Sequence, residues 1–266
     1  MNSIDKPGTA VANGRLWGAR AQDWADVQER QFRLAYEAVF DQQRVSAGCM
    51  YCDVGCGSGL AASIAEQRGA RVYGLDAAGN LLQLARAKVP AGDFQLGELE
   101  RLPFPDGMFD LVTGFNSFQY AADPIAALAE ARRVTKPGGR VVVMTWGTPQ
   151  GMQAASLVAA LKPLLPPPPP GAPGPFALSD EIALRALATS AGLKPLEVAD
   201  VGCRWQYRDL ATALRGLGSS GVAVRAMENS SEEALNEAHA TALAPFRQDD
   251  GSYVVEASFR WLVAGA

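Results

Sequence analysis

At 266 residues the chain is long enough for one large domain, or for one domain carrying a cap, and its 48% hydrophobic residues can fill a sizeable core. A net charge of -4 gives no general attraction to a phosphate backbone, which disfavours nucleic-acid partners. No stretch of about 18 uninterrupted apolar residues appears, so no membrane span is expected.

The start, Met1 to Gly14, is polar and has no basic region followed by an apolar run. No signal peptide is therefore read there, and the expected compartment is the cytoplasm. Leu16 to Phe40 carries Trp17, Trp24, Val27, Phe32, Ala35 and Val39 among charged residues, a pattern for one or two amphipathic helices before the main sheet. Short apolar runs then alternate with helical ones. Cys49 to Val54 reads as a strand, and Leu60 to Arg68 as a helix stopped by Gly69. Arg71 to Leu75 is the next strand, followed by Asp76, and Leu81 to Lys88 is a helix halted by Pro90. Asp93 to Leu96 and Asp110 to Phe115 are further strands. Asp123-Pro124 suits the N-cap and first turn of a helix running to Val134, and Lys136-Pro137-Gly138-Gly139 turns the chain into the strand Val141 to Met144. Strands alternating with helices of this length mean parallel βαβ units.

After Trp146 the rhythm changes. Pro163 to Pro175 holds eight prolines, five of them consecutive from Pro166 to Pro170. Such a run is stiff polyproline II, serving either as a surface connector or as a wall of the site. Ser179 suits the N-cap of the next helix, with Asp180 and Glu181 in its first turn and Gly192 at its end. Two period-two runs follow, Val201, Cys203, Trp205, Tyr207 and then Tyr253, Val255, Ala257, Phe259, Trp261, Val263. They suit an antiparallel pair at the end of a sheet. The helical stretch between them, with a Ser230-x-x-Glu233 capping box, is too long for a hairpin and is expected to cap the site.

The chemistry centres on Asp53-Val54-Gly55-Cys56-Gly57-Ser58-Gly59, where an apolar strand gives way to a helix. Glycines at 55, 57 and 59 let backbone approach a nucleoside ligand, and Asp76, 21 residues after Gly55, is placed to accept from ribose hydroxyls. A dinucleotide site prefers a small residue where Leu60 stands, which tilts the turn away from NAD. Cys49-x-x-Cys52-x-x-x-Cys56 could suggest a metal, but a strand puts Cys49 and Cys52 on opposite faces and no fourth ligand is near, so no metal is expected. Four cysteines, three within eight residues, also make no secreted disulfide framework. His239, the single histidine, shares a helix face with Leu235, Ala242 and Leu243 and points inward from the cap. It is either a satisfied cap residue or a catalytic base or substrate contact.

Four segments carry a resemblance: Cys52 to Gly59, Gly74-Leu75-Asp76-Ala77, Leu102-Pro103-Phe104-Pro105-Asp106-Gly107-Met108-Phe109-Asp110, and Arg133 to Arg140. In this order and spacing they resemble class I S-adenosylmethionine-dependent methyltransferases, closest to the ubiquinone/menaquinone-biosynthesis-like (type 11) branch, over roughly Cys49 to Trp146. The resemblance implies an α/β fold, Rossmann-like and doubly wound. Its mostly parallel seven-stranded sheet would have an antiparallel last strand and a helical cap. It implies S-adenosylmethionine as cofactor, with S-adenosylhomocysteine as product. Asp53, Gly55, Cys56, Gly57 and Gly59 would hold the amino-acid end, Asp76 the ribose, and Ala77, Glu98 and Leu99 the adenine. Asn116 and Ser117, within Phe115 to Gln119, would line the methyl-donor end. Many relatives carry a histidine there, where this chain has Gln119 and Tyr120. Trp17, Arg20 and Trp24 would belong to a lid.

The expected organisation is a helical lid segment over 1–45 and a methyltransferase domain over 46–266, with cap insertions at about 148–178 and 209–247. The expected activity is methyl transfer to a small, largely apolar metabolite or natural product by a monomer or homodimer. The alternatives are an S-adenosylmethionine-binding protein that does not methylate and an NAD-dependent oxidoreductase. Methyl transfer needs alignment and desolvation more than side-chain chemistry, so the sequence leaves the acceptor and its reacting atom open.

Overall fold

Apolar runs stopped by a glycine or an acid form the inner strands of the computed structural model, which describes residues 8–168 and 174–266. The polyproline assignment falls partly on 169–173, outside the described residues. In chain order the elements begin with α1 (Ala10–Gly18), α2 (Ala21–Asp23), a π-helical turn Trp24–Gln28, a 3-10 turn Glu29–Phe32 and α3 (Arg33–Gln42). Then come β1 (Met50–Val54), α4 (Leu60–Gln67), β2 (Arg71–Asp76), α5 (Gly79–Lys88), β3 (Asp93–Leu96) and β4 (Phe109–Phe115). They are followed by α6 (Pro124–Val134), β5 (Thr135–Trp146), α7 (Ala154–Ala160), α8 (Glu181–Ser190) and β6 (Lys194–Tyr207). The last are α9 (Leu210–Leu217), α10 (Gly221–Asn229), α11 (Glu232–Leu243) and β7 (Tyr253–Gly265).

The seven strands form one sheet in the order β3-β2-β1-β4-β5-β7-β6. β1 to β5 pair in parallel, and β7 runs antiparallel to both β5 and β6. This is the expected doubly wound sheet, with the order reversing between β2 and β4 on either side of β1. Both faces are covered. Tyr51, Phe115, Met144 and Phe259 pack with Phe40 of α3 and Ile64 of α4 on one side. Val54, Val112 and Leu262 pack with Leu128 of α6 and Leu184 of α8 on the other.

The motif Leu102-Pro103-Phe104 has a structural reason. Leu102, Phe104 and Phe109 are buried in the second layer, and the Arg133 guanidinium donates to the carbonyls of Leu102 and Phe104, each at 2.9 Å. Arg133 thereby ties the loop before β4 to the end of α6.

Four local expectations are corrected. The N-terminal region is not one or two continuous helices but α1, the short α2, a π-helical turn, a 3-10 turn and α3 in succession. Lys136 to Gly139 is a bulge inside β5: Thr135 pairs with Phe109, Arg140 with Leu111, and the register slips between them. Asp180, not Ser179, caps α8 by accepting from Ala183 N–H at 2.8 Å, while the Ser179 carbonyl accepts from Arg260. Ser231, not Ser230, caps α11 at 3.1 Å, since the Ser230 hydroxyl donates back to Ala226 in α10. In both cases two neighbouring residues could serve as the cap, and the second of each pair supplies the accepting side chain.

The long stretch between β6 and β7 is α9, α10 and α11. α10 packs on α1, and α11 packs on α7 and α9. A side chain at Gly221 would sit 2.6 Å from the Trp17 indole, so glycine permits this close approach of α10 to α1. No helix among the described residues is long and apolar enough to cross a membrane.

Candidate active site

Reversal of strand order on the two sides of β1 leaves a crevice at the carboxyl ends of the strands, where open α/β sheets hold ligands. A cavity lies there with about 880 Å³ of empty space, its open mouth included. Asp53, Gly55, Cys56, Gly57, Asp76, Ala77, Glu98, Leu99, Asn116 and Ser117 all line it. Gly59 does not. It starts α4 at φ 81°, where a Cβ would lie 3.0 Å from Ala85 Cα, so it serves the packing of α4 on α5.

The turn is held open by its backbone. Gly55 has φ 84°, and a Cβ there would meet the Ser117 Cβ at 2.3 Å. Asp76 pins the same turn from β2 by accepting from Gly57 N–H at 2.8 Å, and its other oxygen accepts from Ala78 N–H, just past its own strand, at 2.8 Å. Asn116 adopts φ 53°, a left-handed conformation that asparagine tolerates better than most residues, and lines the cavity just past β4.

The cavity is acidic. Glu29, Asp53, Asp76 and Glu98 line it, and none of the described residues lining it is basic. Burial first, with the neighbouring carboxylates of Glu29 and Asp76, raises Asp53 from 3.8 to about 7 against the opposing hydrogen bond from Thr113. Burial likewise raises Asp76, opposed by its backbone donors. A carboxylate cluster of this kind favours a cationic ligand and disfavours a pyrophosphate.

Sequence reasoning missed Glu29. It comes from the 3-10 turn and is 3% exposed. It accepts from the Ser58 N–H at 3.0 Å and from the Ser58 hydroxyl, and pairs with Lys88 at 3.3 Å. Glutamate in a helical, charged stretch gives no local signal of burial; only its contact with the glycine turn does. Glu98 also has a partner from the N-terminal segment, accepting from Ala10 N–H at 3.0 and 3.1 Å through its two oxygens. Thr9 and Asn13 side chains each donate to the Tyr120 carbonyl at 3.0 Å, which lays α1 across the cavity. Trp17 and Trp24 line the cavity, whereas Arg20 pairs with Asp23 at 3.4 Å and Glu232 at 3.1 Å instead.

A second cavity adjoins the first and shares Trp17, Trp24, Phe32, Asn116 and Tyr120 with it. Its empty space is about 760 Å³, mouth included. Four of the five tryptophans, Trp17, Trp24, Trp146 and Trp205, line it. His239 reaches this second cavity, not the first. Pro175 also lines it and Phe176 packs on Trp146, so the end of the proline-rich run forms part of its wall.

Burial lowers His239 from 6.5 to about 4. The unfolded imidazole takes a proton near pH 6.5 and the buried one only near 4, so unfolding takes up a proton between those values. Stability from this burial is full above pH 6.5 and is lost as pH falls toward 4. Relative to His239→Leu, the native chain should lose about 2 kcal/mol more between pH 7 and 5 in urea unfolding. Equal losses would show that the imidazole is not desolvated.

Cys49 and Cys52 pack on opposite faces of the sheet, and Cys56 lines the first cavity. Among the described residues no group of three or more His, Cys, Asp or Glu is arranged to hold a metal.

The methyltransferase-domain family matches residues 52–143. The chain is 40% identical over 147 residues to malonyl-acyl-carrier-protein O-methyltransferase of Serratia marcescens, covering 54% of each chain. It is 34% identical over 122 residues to demethylmenaquinone methyltransferase of Renibacterium salmoninarum, covering 46% of this chain and 50% of that one. It thus spans about half the length of the curated relatives it matches. In fold it is similar to an S-adenosylmethionine-dependent methyltransferase from Aquifex aeolicus, with a TM-score of 0.53 and 19% identity over 68% of this chain and 92% of that one. The cyclase SpnF has a similar fold, with a TM-score of 0.55 and 19% identity over 88% and 80% of the two chains. Over residues 52–143, with its glycine turn, acidic partner and strand order, the chain matches the methyltransferase-domain family and is similar to named methyltransferases.

Proposed function

We propose that the chain transfers a methyl group from S-adenosylmethionine to a small, largely apolar acceptor, the two sitting in the two adjoining cavities. The observation that carries this reading is the first cavity: four carboxylates around a glycine turn, no basic lining residue, and a second, aromatic cavity sharing five of its wall residues. Both alternatives fare worse. A nicotinamide dinucleotide would set its pyrophosphate among those carboxylates. A protein that only binds the cofactor does not require a second cavity beside it.

The residues fit the cofactor in charge and shape. Gly55 and Gly57 let the turn approach Ser117 and Glu29 more closely than a Cβ would allow, and the buried carboxyls of Asp53 and Glu29 stand at that turn. Asp53, Glu29 and the turn would hold the amino-acid end, Asp76 the ribose, and Ala77, Glu98 and Leu99 the adenine. When bound, S-adenosylmethionine supplies a methyl group already activated on a sulfonium. Trp17, Trp24 and Tyr120 would keep water from the junction, while Asn116 and Ser117 position the wall between the cavities. His239, neutral above pH 5 with its value at about 4, is a weak base. Its part would then be contact with the acceptor more than proton removal.

Asp53 gives a prediction of its own. With its value raised to about 7, about half of the free protein carries a proton there at pH 7. A bound cation draws that value down, so binding S-adenosylmethionine should release about half a proton at pH 7 and more at pH 6. Calorimetry in two buffers of different protonation enthalpy measures this, and Asp53→Asn should abolish the difference. Heats independent of buffer would mean that the ligand does not meet Asp53.

The proposed activity is tested by incubating the chain with S-adenosylmethionine labelled in its methyl group and a panel of uncharged naphthols and phenols. Label in an organic-extractable product is expected. Binding of the cofactor with no transfer to any of them, while a protein or nucleic acid takes the label, would overturn the small-molecule reading.

A further inference from the structure

The second cavity says more about the acceptor, provided it is the acceptor's cavity as proposed above. Its walls are rigid rings: Trp24 and Phe32 stand 5.8 Å apart, Phe32 and Trp205 5.7 Å, and Trp205 and Trp146 5.9 Å, centre to centre. Flat walls of this kind accept a flat apolar body with little loss of side-chain freedom. No described residue lining the cavity carries a charge at neutral pH. Pro163 to Pro175, whose last residue lines it, contains no Asp, Glu, Lys or Arg. A carboxylate brought here would leave water without a side-chain cation to meet it.

Besides Gln28, Asn116, Tyr120 and Ser220, the side chains of Trp205 and His239 bring polar atoms to this wall. Trp205 is 3% exposed and His239 2%, and both line this cavity. The Trp205 Nε1 and the His239 Nδ1 are cut off from water and have no hydrogen-bond partner among the described residues. Buried polar atoms left without a partner are rare and costly, and a ligand is one of the few things that can satisfy them. The indole N–H can only donate, so what completes it must be an acceptor atom. Gln28, also at this wall, spends its own side-chain oxygen on the Tyr207 hydroxyl at 2.9 Å, so it does not serve Trp205.

We propose that the acceptor is an uncharged, flat, ring-bearing molecule with a carbonyl or ether oxygen that accepts from the Trp205 indole N–H. His239 is its second polar contact, and carboxylate acceptors such as a malonyl thioester are turned away. The inference separates this chain's acceptor chemistry from that in the name of its Serratia relative. Trp205 and His239 lie in the part of the chain beyond the family-matched residues 52–143, where acceptor selectivity is free to diverge.

The test is calorimetric titration of the full chain, with S-adenosylhomocysteine present, using three compounds of one ring size: an acetyl-naphthol, the parent naphthol and a hydroxynaphthoate. The acetyl-naphthol is expected to bind at least tenfold more tightly than the hydroxynaphthoate. Trp205→Phe keeps a ring but removes the N–H. It should weaken the acetyl-naphthol about tenfold and move the parent naphthol less than twofold. His239→Leu should also narrow the gap between the two naphthols, which keeps the inference open to refutation if the tryptophan variant folds poorly. Tight binding of the hydroxynaphthoate, equal loss for both naphthols in Trp205→Phe, or no binding of any ring would overturn it. Ring selectivity as expected in a chain that never binds S-adenosylmethionine would instead sink the proposed methyl transfer and leave the recognition intact.

Discussion

Asp76→Ala is expected to raise the dissociation constant for S-adenosylmethionine about 100-fold. The carboxylate does two things at once. It holds the glycine turn to β2 by accepting from Gly57 N–H, with its other oxygen on Ala78 N–H just past its own strand, and it carries the ribose contact proposed for it. Hydrogen bonds to a charged acceptor contribute about 1.5–3 kcal/mol each, and losing two ribose bonds gives about 3 kcal/mol. That converts to the stated factor. The strands β1 and β2 keep their ladder, from Met50 with Arg71 to Val54 with Leu75, so far-ultraviolet circular dichroism should be unchanged. Equilibrium dialysis measures the affinity, and a change under threefold would remove Asp76 from the cofactor site.

Glu29→Ala is the second large effect, and it acts first on stability. The carboxylate is buried and meets the Ser58 N–H, the Ser58 hydroxyl and the Lys88 ammonium. Removing it leaves a buried N–H and hydroxyl of Ser58 without their acceptor and cuts a clasp between the N-terminal segment and the glycine turn. Breaking such a pair costs about 3 kcal/mol, which lowers the melting temperature by about 10 °C for a domain of this size. Because Trp17 and Trp24 ride on the clasped segment, tryptophan fluorescence should also shift toward the red before the main transition. Binding of S-adenosylmethionine should weaken in parallel, since Glu29 lines its proposed cavity. An unchanged melting curve would show that the segment is held by α1 and its contacts alone.

The parts of this molecule that were legible in the sequence are those where function is written into local backbone. A strand, three glycines and an acid at the end of the next strand can be read from spacing because the turn needs those residues whatever surrounds them. Asp53, Gly55, Gly57, Asp76 and Glu98 accordingly converge on one cavity. Gly59 obeyed the same pattern for a different reason, the close approach of α4 to α5, which spacing cannot distinguish from ligand contact. Glu29 was invisible because burial of a charge depends on partners 29 and 59 residues away. The break of the N-terminal region into π-helical and 3-10 turns was illegible too, since helical periodicity survives through it.

The second cavity was only half legible. Tryptophans and prolines marked an apolar region, and His239 was read as pointing inward, yet nothing local said that Trp205 from β6 and His239 from α11 share one wall. That meeting is made by the long excursion between β6 and β7 folding back over the sheet edge. Its sequence resembles any capping helical stretch until α10 is seated on α1 at Gly221.

The acidic glycine-turn cavity is proposed to select a cationic nucleoside. Its most direct test is calorimetric titration of the full chain with S-adenosylmethionine and, separately, with NAD. Saturable heat is expected with S-adenosylmethionine, and none with NAD at the concentration that saturates the first. NAD binding as tightly as S-adenosylmethionine, or no heat from S-adenosylmethionine at all, would contradict it.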